Sequence, residues 1–151
     1  RAVRTSRPSS AGPRIAIAYR TYGLMPFPQC GTPTYAIDVA VDGAIRCGWT
    51  SQCPPYSEAK PLRAAPHGRL DPNDGQRLID LARTAEFQAL DKFDSNPHII
   101  DGGLEHLDVT IDGATKTVEL ANLQKPPFTA FRTELERATG CSIATAGPEP
   151  R

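Results

Sequence analysis

The chain has 151 residues, enough for one domain with a single core and too few for two independent cores. Its 17 basic and 17 acidic side chains balance, so the chain lacks the positive field that attracts nucleic acid or anionic membranes. No apolar run approaches the roughly 20 residues that span a bilayer. These counts argue against nucleic acid as a partner and against a transmembrane segment.

The first 13 residues form a basic leader in which arginines stand among Pro, Ser and Gly with no acidic residue. Such composition is typical of disordered chain more than of an anion-binding arm. The chain begins with Arg1, which suits an export signal removed upstream, and a lipid anchor upstream is possible. We expect a disordered leader at 1–13, a single α+β domain at 14–142 and a disordered tail at 143–151.

Residues 15–22 alternate apolar and other side chains and predict a strand, and the Pro- and Gly-rich stretch 23–33 predicts a loop. Alternation returns over residues 35–41, and Asp42-Gly43 predicts a hairpin turn. The two strands share an apolar face if residues 42–44 form a three-residue loop. In that register Val39 faces Cys47.

Four cysteines predict two disulfides and an oxidising compartment, periplasmic or extracellular; the alternative is four reduced thiols. Cys47 and Cys53 lie about 20 Å apart on an extended segment, beyond the ~7 Å limit for a bridge between Cα atoms. Of the three connectivities we favour Cys30–Cys53 with Cys47–Cys141. No Cys-x-x-Cys pair suggests a zinc or redox motif.

Residues 54–68 contain four prolines and predict a long surface loop. Asp71 followed by Pro72 predicts a helix start, and the spacing of apolar residues continues the helical core to Phe87 and Leu90. Residues 91–105 carry turn signals and predict a second loop.

Asp112-Gly113 predicts a second hairpin, in which Val109 pairs with Val118. A final helix begins at Pro126 and ends before Gly140. The element order predicts an α+β fold: an antiparallel sheet of about five strands, made of two hairpins and an N-terminal strand, with two helices packed on one face.

The run from Cys30 through Pro33 and Tyr35 to Asp42-Gly43 resembles a bacterial domain of unknown function found in exported and lipid-anchored proteins. The resemblance covers about residues 14–140 and implies an envelope or secreted location and a small sheet-and-helix fold, with no activity. Thr32 stands where the family pattern has its second cysteine, so the family's disulfide pairing does not carry over.

A weak metal-site alternative gathers four residues of the second loop: His98, Asp101, Glu105 and His106. Their spacing matches no zinc motif, and a solvated polar loop accounts for them better. No serine lies in a nucleophile elbow, the cysteines look structural, and no Gly-rich strand-to-helix turn offers a phosphate site. We therefore predict no catalytic residues and no cofactor.

The long loops remain as candidate binding surfaces, because long loops usually have a use and a disulfide would pre-organise them. The residues we single out for binding are Met25, Phe27, Tyr56, Leu62 and His67. The sequence favours a non-enzymatic exported domain that binds another protein, for example an inhibitor or immunity protein. The alternatives are a metal-dependent enzyme using the loop of His98 to His106, or a structural component of the cell envelope.

Overall fold

The computed structural model describes residues 14–22, 32–52, 66–98 and 103–146. Seven strands lie in these ranges: β1 Ile15–Tyr22, β2 Thr32–Val39, β3 Ala44–Gln52, β4 Pro66–Arg69, β5 Phe93–Ser95, β6 Leu104–Ile111 and β7 Ala114–Ala121. The helices are α1 Pro72–Ala82, α2 Ala85–Gln88 and α3 Pro126–Thr139, and a 3₁₀ turn follows at Ile143–Thr145.

The strands form one sheet in the order β4-β3-β2-β1-β6-β7-β5. Neighbouring strands run antiparallel except β5, which is parallel to β7. The α+β class agrees with the prediction. The count of about five strands and the purely antiparallel sheet were wrong.

The two strands missing from the prediction are the short edge strands β4 and β5. Strand β4 lies at the end of the stretch 54–68, and β5 lies within the stretch 91–105, both predicted as loops. At four and three residues they are too short for alternation of side chains to show in the sequence. Their positions depend on hydrogen bonding to β3 and β7, which only the folded sheet provides.

One face of the sheet carries the hydrophobic core, and the helices pack on that face. Ile17, Ile37 and Leu107 from the sheet form one buried cluster with Leu78 of α1 and Phe131 of α3. Burial of these side chains is the main favourable contribution to folding. The predicted placement of helices on one face agrees with this core, although a third, four-residue helix, α2, accompanies the predicted two.

The first hairpin has the predicted loop length but a different register. Its three-residue loop is 41–43, because Ala40 and Ala44 close it by a backbone hydrogen bond and Gly43 adopts a positive φ of 91°. This is a turn followed by a left-handed glycine. Cys47 therefore pairs with Ile37 instead of Val39, a shift of two residues that leaves every side chain on its predicted face.

The second hairpin is also shifted by two residues. Asp112 and Gly113, both at positive φ, make a two-residue turn, and Ile111 pairs with Ala114. Val109 consequently faces Lys116, and Val118 faces Leu107. The predicted pairing of Val109 with Val118 was wrong, because it was chosen to keep the apolar residues on one face, and a shift of two residues keeps them there as well.

The helix ends follow local rules that the sequence shows. The Asp71 carboxylate accepts a hydrogen bond from the Asn73 backbone N–H at 2.8 Å and caps α1. Pro72 is the first residue of this helix, a position that proline favours. Gly140 ends α3 at φ 72°, a conformation that costs glycine no steric strain.

The Cys47–Cys141 disulfide is present, with its Cα atoms 6.3 Å apart, and joins β3 to the second residue after α3. Cys30 and Cys53 lie outside the described residues, as do the leader 1–13 and residues 147–151 of the tail. None of the helices in the described ranges is long and apolar enough to cross a membrane.

Replacing Asp71 by Ala is expected to lower the free energy of unfolding by about 1 kcal/mol, because the first turn of α1 loses its cap. Urea unfolding measures the loss. Asp91→Ala, which removes an exposed carboxylate between α2 and β5, is the matched control and should change stability by less than about 0.5 kcal/mol. Equal losses in both variants would contradict the capping role.

Candidate functional site

The predicted binding residues fall mainly in segments whose structure is not described. Met25, Phe27, Tyr56 and Leu62 lie outside the described residues. His67 is exposed on the edge strand β4, close to the Cys47–Cys141 disulfide.

The four residues of the weak metal-site alternative do not share a loop. His98 is exposed in the turn after β5, and Asp101 lies outside the described residues. Glu105 and His106 are consecutive residues of β6, so their side chains point to opposite faces of the sheet. Because β6 begins at Leu104, the prediction that these two residues lie in a solvated loop was wrong, and His106 is 1% exposed.

Several connecting segments attach to one end of the sheet. Tyr22 at the end of β1 pairs with Thr34 of β2 and with Leu104 at the start of β6. The start of β2 pairs with Gln52, the last residue of β3. The segments 23–31, 53–65 and 99–102 therefore each join a strand at this end, which we call the loop-bearing end.

A cavity of about 520 Å³ opens at the loop-bearing end, on the face that carries the helices. We call it the end pocket. Polar side chains meet in it: the Tyr19 hydroxyl donates to Glu105 Oε2 at 2.6 Å, and Arg132 donates to the same oxygen at 2.7 Å. Glu136 lies one helical turn beyond Arg132 and also lines the pocket. Two carboxylates, one guanidinium and a phenol thus converge there.

The environment of the end pocket shifts the pKa values of these groups. Burial, reinforced by Glu105, holds the pKa of Tyr19 well above its usual range, so the phenol stays a hydrogen-bond donor. Burial also raises the pKa of Glu136; Arg132 partly offsets this effect, and Glu105 adds to it. Ionisation of Glu136 is therefore less favourable in the free protein than it is in water.

The remaining walls of the end pocket are apolar and amide groups. Leu123 and Ile143 contribute apolar surface, and Ile143 is 47% exposed. The sequence contained one signal for this site, the spacing of Arg132 and Glu136 at i and i+4 beside the apolar stripe of α3. Nothing in the sequence joined them to Tyr19 and Glu105, which are more than 25 residues away.

The opposite face of the sheet carries a second cluster of charged groups, which we call the charge cluster. Arg20, 2% exposed, donates two hydrogen bonds to the Asp38 carboxylate at 2.6 and 3.2 Å. His106 pairs with Arg20 across β1 and β6 and lies between two carboxylates. Its Nδ1 is 2.9 Å from Glu119 Oε1, and its Nε2 is 3.0 Å from Asp108 Oδ2, an ion-pair contact poorly aligned for a hydrogen bond.

Burial lowers the pKa of His106, but the carboxylates of Asp108 and Glu119 outweigh that effect and raise it to about 9. His106 is therefore an imidazolium at neutral pH. Burial alone would raise the pKa of Asp108, but the imidazolium and the Thr117 hydroxyl stabilise its carboxylate and lower the pKa. Each charged group of the charge cluster contacts at least one group of opposite charge. We interpret the charge cluster as a structural network. The end pocket is the stronger candidate for ligand binding.

No protein-family model matches the chain, and no curated protein matches it.

Stability is expected to fall as pH rises through about 9, because His106 has a folded pKa of about 9 against an ordinary value of 6.5. Because the pKa of His106 is higher in the folded state than in the unfolded state, the stabilisation that its charge contributes is complete below pH 6.5 and is lost above pH 9. At about 1.36 kcal/mol per pKa unit, this contribution to the free energy of unfolding is on the order of 3 kcal/mol. Urea unfolding at pH 6, 8 and 10 measures it, and NMR titration of the ring measures the pKa directly.

His106→Gln should abolish this part of the pH dependence, whereas His67→Gln, which alters an exposed imidazole, should leave it intact. The charged groups that face the ring are Arg20, Asp108 and Glu119. A His106 ring that titrates near pH 6.5 would contradict the assignment even if the Gln variant failed to fold.

Proposed function

We propose that this protein is a non-enzymatic, exported recognition domain that binds another protein through the loop-bearing end of its sheet. The end pocket receives a basic side chain of that partner. The observation that carries the proposal is the convergence of Glu105, Arg132, Glu136 and Tyr19 in a cavity at the end where the long Pro-rich segments attach.

The position of the end pocket supports a binding role for the neighbouring segments. The segment 23–31, with Met25 and Phe27, joins β1 to β2 at this end, and the segment 53–65, with Tyr56 and Leu62, leaves β3 there. Connecting segments held by a rigid sheet are common sites of recognition. The composition of these segments, which include aromatic and other apolar residues, matches that of protein interfaces, where aromatic groups surround a few specific polar contacts.

The charges of the end pocket favour a cation. Arg132 is already engaged by Glu105, which leaves the carboxyl of Glu136 with no hydrogen bond within the described part of the chain. Burial of this carboxyl disfavours its ionised form, and an incoming ammonium or guanidinium would reverse that penalty. Leu123 and Ile143 offer apolar surface to the aliphatic stem of a lysine or arginine.

The Cys47–Cys141 disulfide suits a periplasmic or extracellular location, because such bonds persist in oxidising compartments. An exported domain that binds another protein through connecting segments on a folded sheet fits an inhibitor or an immunity protein. The resemblance to bacterial exported domains points to the same location.

A photo-crosslinking amino acid at position 27 or 56 should trap a protein from the envelope or secreted fraction of the source cells. The same group at position 41 should not, because Val41 is 51% exposed in the hairpin turn at the opposite end of the sheet. Mass spectrometry of the adducts identifies the partner. Equal trapping from all three positions, or trapping only from 41, would contradict recognition at the loop-bearing end. Trapping of this chain alone would favour the structural role in the envelope.

Nα-acetyl-lysine amide and Nα-acetyl-arginine amide should shift the backbone NMR signals of residues lining the end pocket, and Nα-acetyl-norleucine amide should not. Glu136→Gln is expected to weaken this binding roughly tenfold, since a hydrogen bond between charged groups contributes about 1.5 kcal/mol or more. The variant should fold at least as well as the parent, because burial of the ionised Glu136 costs stability. Glu86→Gln, at an exposed position of α2, is the matched control. Identical shifts by all three amides would refute cation selectivity.

A further inference from the structure

Three possible metal ligands meet at the edge of the sheet, away from the end pocket. Cys47 belongs to β3, His67 to the edge strand β4, and Cys141 follows the end of α3. The donor atoms of the three side chains lie within 4.8 Å of one another. The sequence gives no sign of this group, because the residues are separated by 20 and 74 positions.

Contacts other than the disulfide also position the two cysteines. Cys47 lies inside the β2–β3 ladder, opposite Ile37, and Cys141 is 2% exposed behind the buried face of α3. The backbone N–H of Cys141 donates to the Thr139 hydroxyl, which in turn donates to the Leu135 carbonyl. These contacts do not involve the sulfur atoms, so reduction of the disulfide removes none of them directly.

The geometry suits a tetrahedral ion after a small movement of the sulfur atoms. Two thiolates at about 2.3 Å from a tetrahedral zinc lie about 3.8 Å apart. The Cα atoms of Cys47 and Cys141 are 6.3 Å apart, which leaves room for that separation through side-chain rotation. His67 packs over Gly140: its Nε2 would lie only 3.5 Å from a Cβ atom added to that glycine. The imidazole lies beside the sulfur atoms, since the three donor atoms are within 4.8 Å of one another.

The donor set selects the metal by its chemistry. Two thiolates and one imidazole are typical ligands of zinc and are poor ligands for calcium or magnesium. Because His67 is exposed, water reaches the group and can fill the fourth position. Zinc cannot enter while the two sulfur atoms are bonded to each other, since thiolates are the metal ligands.

We propose that the reduced protein binds one zinc ion through Cys47, Cys141 and His67, so that zinc binding and the disulfide are alternative states of one site. A dithiol supplies the two electrons and two protons that convert the disulfide to two thiols, and is itself oxidised to a disulfide. Zinc binding then releases the two thiol protons. After zinc is removed, thiol–disulfide exchange with an oxidised dithiol, which accepts the two electrons and two protons and is reduced to two thiols, restores the disulfide.

The test uses the full chain carrying Cys30→Ser and Cys53→Ser, so that these two cysteines cannot contribute ligands. After treatment with a dithiol and its removal without oxygen, the protein is dialysed against zinc, and elemental analysis counts the bound metal. We expect one zinc ion per chain in the reduced protein and none above background in the oxidised protein. Cobalt in place of zinc should give the absorption bands of thiolate-to-metal charge transfer.

His67→Gln should weaken zinc binding by on the order of 100-fold, because loss of an outer partner of a metal ligand alone costs tenfold to 100-fold. His98→Gln, at another exposed histidine, is the matched control and should bind zinc like the parent. Equal binding by the reduced and oxidised proteins would overturn the proposal. So would unchanged affinity in His67→Gln.

Thermal unfolding of the reduced protein provides a second measurement if reduction destabilises the fold. Zinc at 100 times its dissociation constant should stabilise the reduced form by raising its melting temperature, and should leave that of the oxidised form unchanged. His67→Gln should remove most of this rise. A reduced chain whose melting is indifferent to zinc would overturn the proposal independently of stoichiometry, and neither result bears on recognition at the loop-bearing end.

Discussion

Strand β1 lies between β2 and β6 and is hydrogen-bonded to both along its length. A slip of one residue would break two ladders and move every side chain of β1 to the other face of the sheet. Ile17 and Tyr19 therefore stay under the helices, and Arg20 stays on the opposite face. The end pocket and the charge cluster each depend on this constraint, since Tyr19 belongs to one and Arg20 to the other.

The two polar groups differ in how well their charges are compensated. In the charge cluster, Arg20 and the His106 imidazolium meet the carboxylates of Asp38, Asp108 and Glu119, a pairing that buried charges require. In the end pocket, burial raises the pKa of Glu136, so the ionised carboxylate lowers the stability of the folded protein. Groups whose burial disfavours their charged form are frequent in binding sites, because the ligand supplies the missing charge.

Helix α3 connects the two inferred sites. Arg132 and Glu136 lie on the side of α3 that faces the end pocket, and its C-terminal end leads through Gly140 into Cys141. The disulfide ties this end of α3 to β3. Reduction would release that tie, and zinc would replace it with bonds that also include the edge strand β4. The same helix would then remain tied to the sheet in both the oxidised and the reduced state.

The sequence alone determined the features that depend on neighbouring residues: the alternation of the long strands, the Asp71 cap, the glycine after α3 and the α+β class. It also led to the Cys47–Cys141 pairing. Hairpin registers were each displaced by two residues, because the side-chain pattern repeats every two residues and cannot distinguish them. Other features join segments that are distant along the chain. They are the edge strands of three or four residues, the partners of Glu105 and His106, and the approach of His67 to the disulfide. Only the tertiary structure decided these, since contacts across the sheet leave no periodic trace in a single sequence.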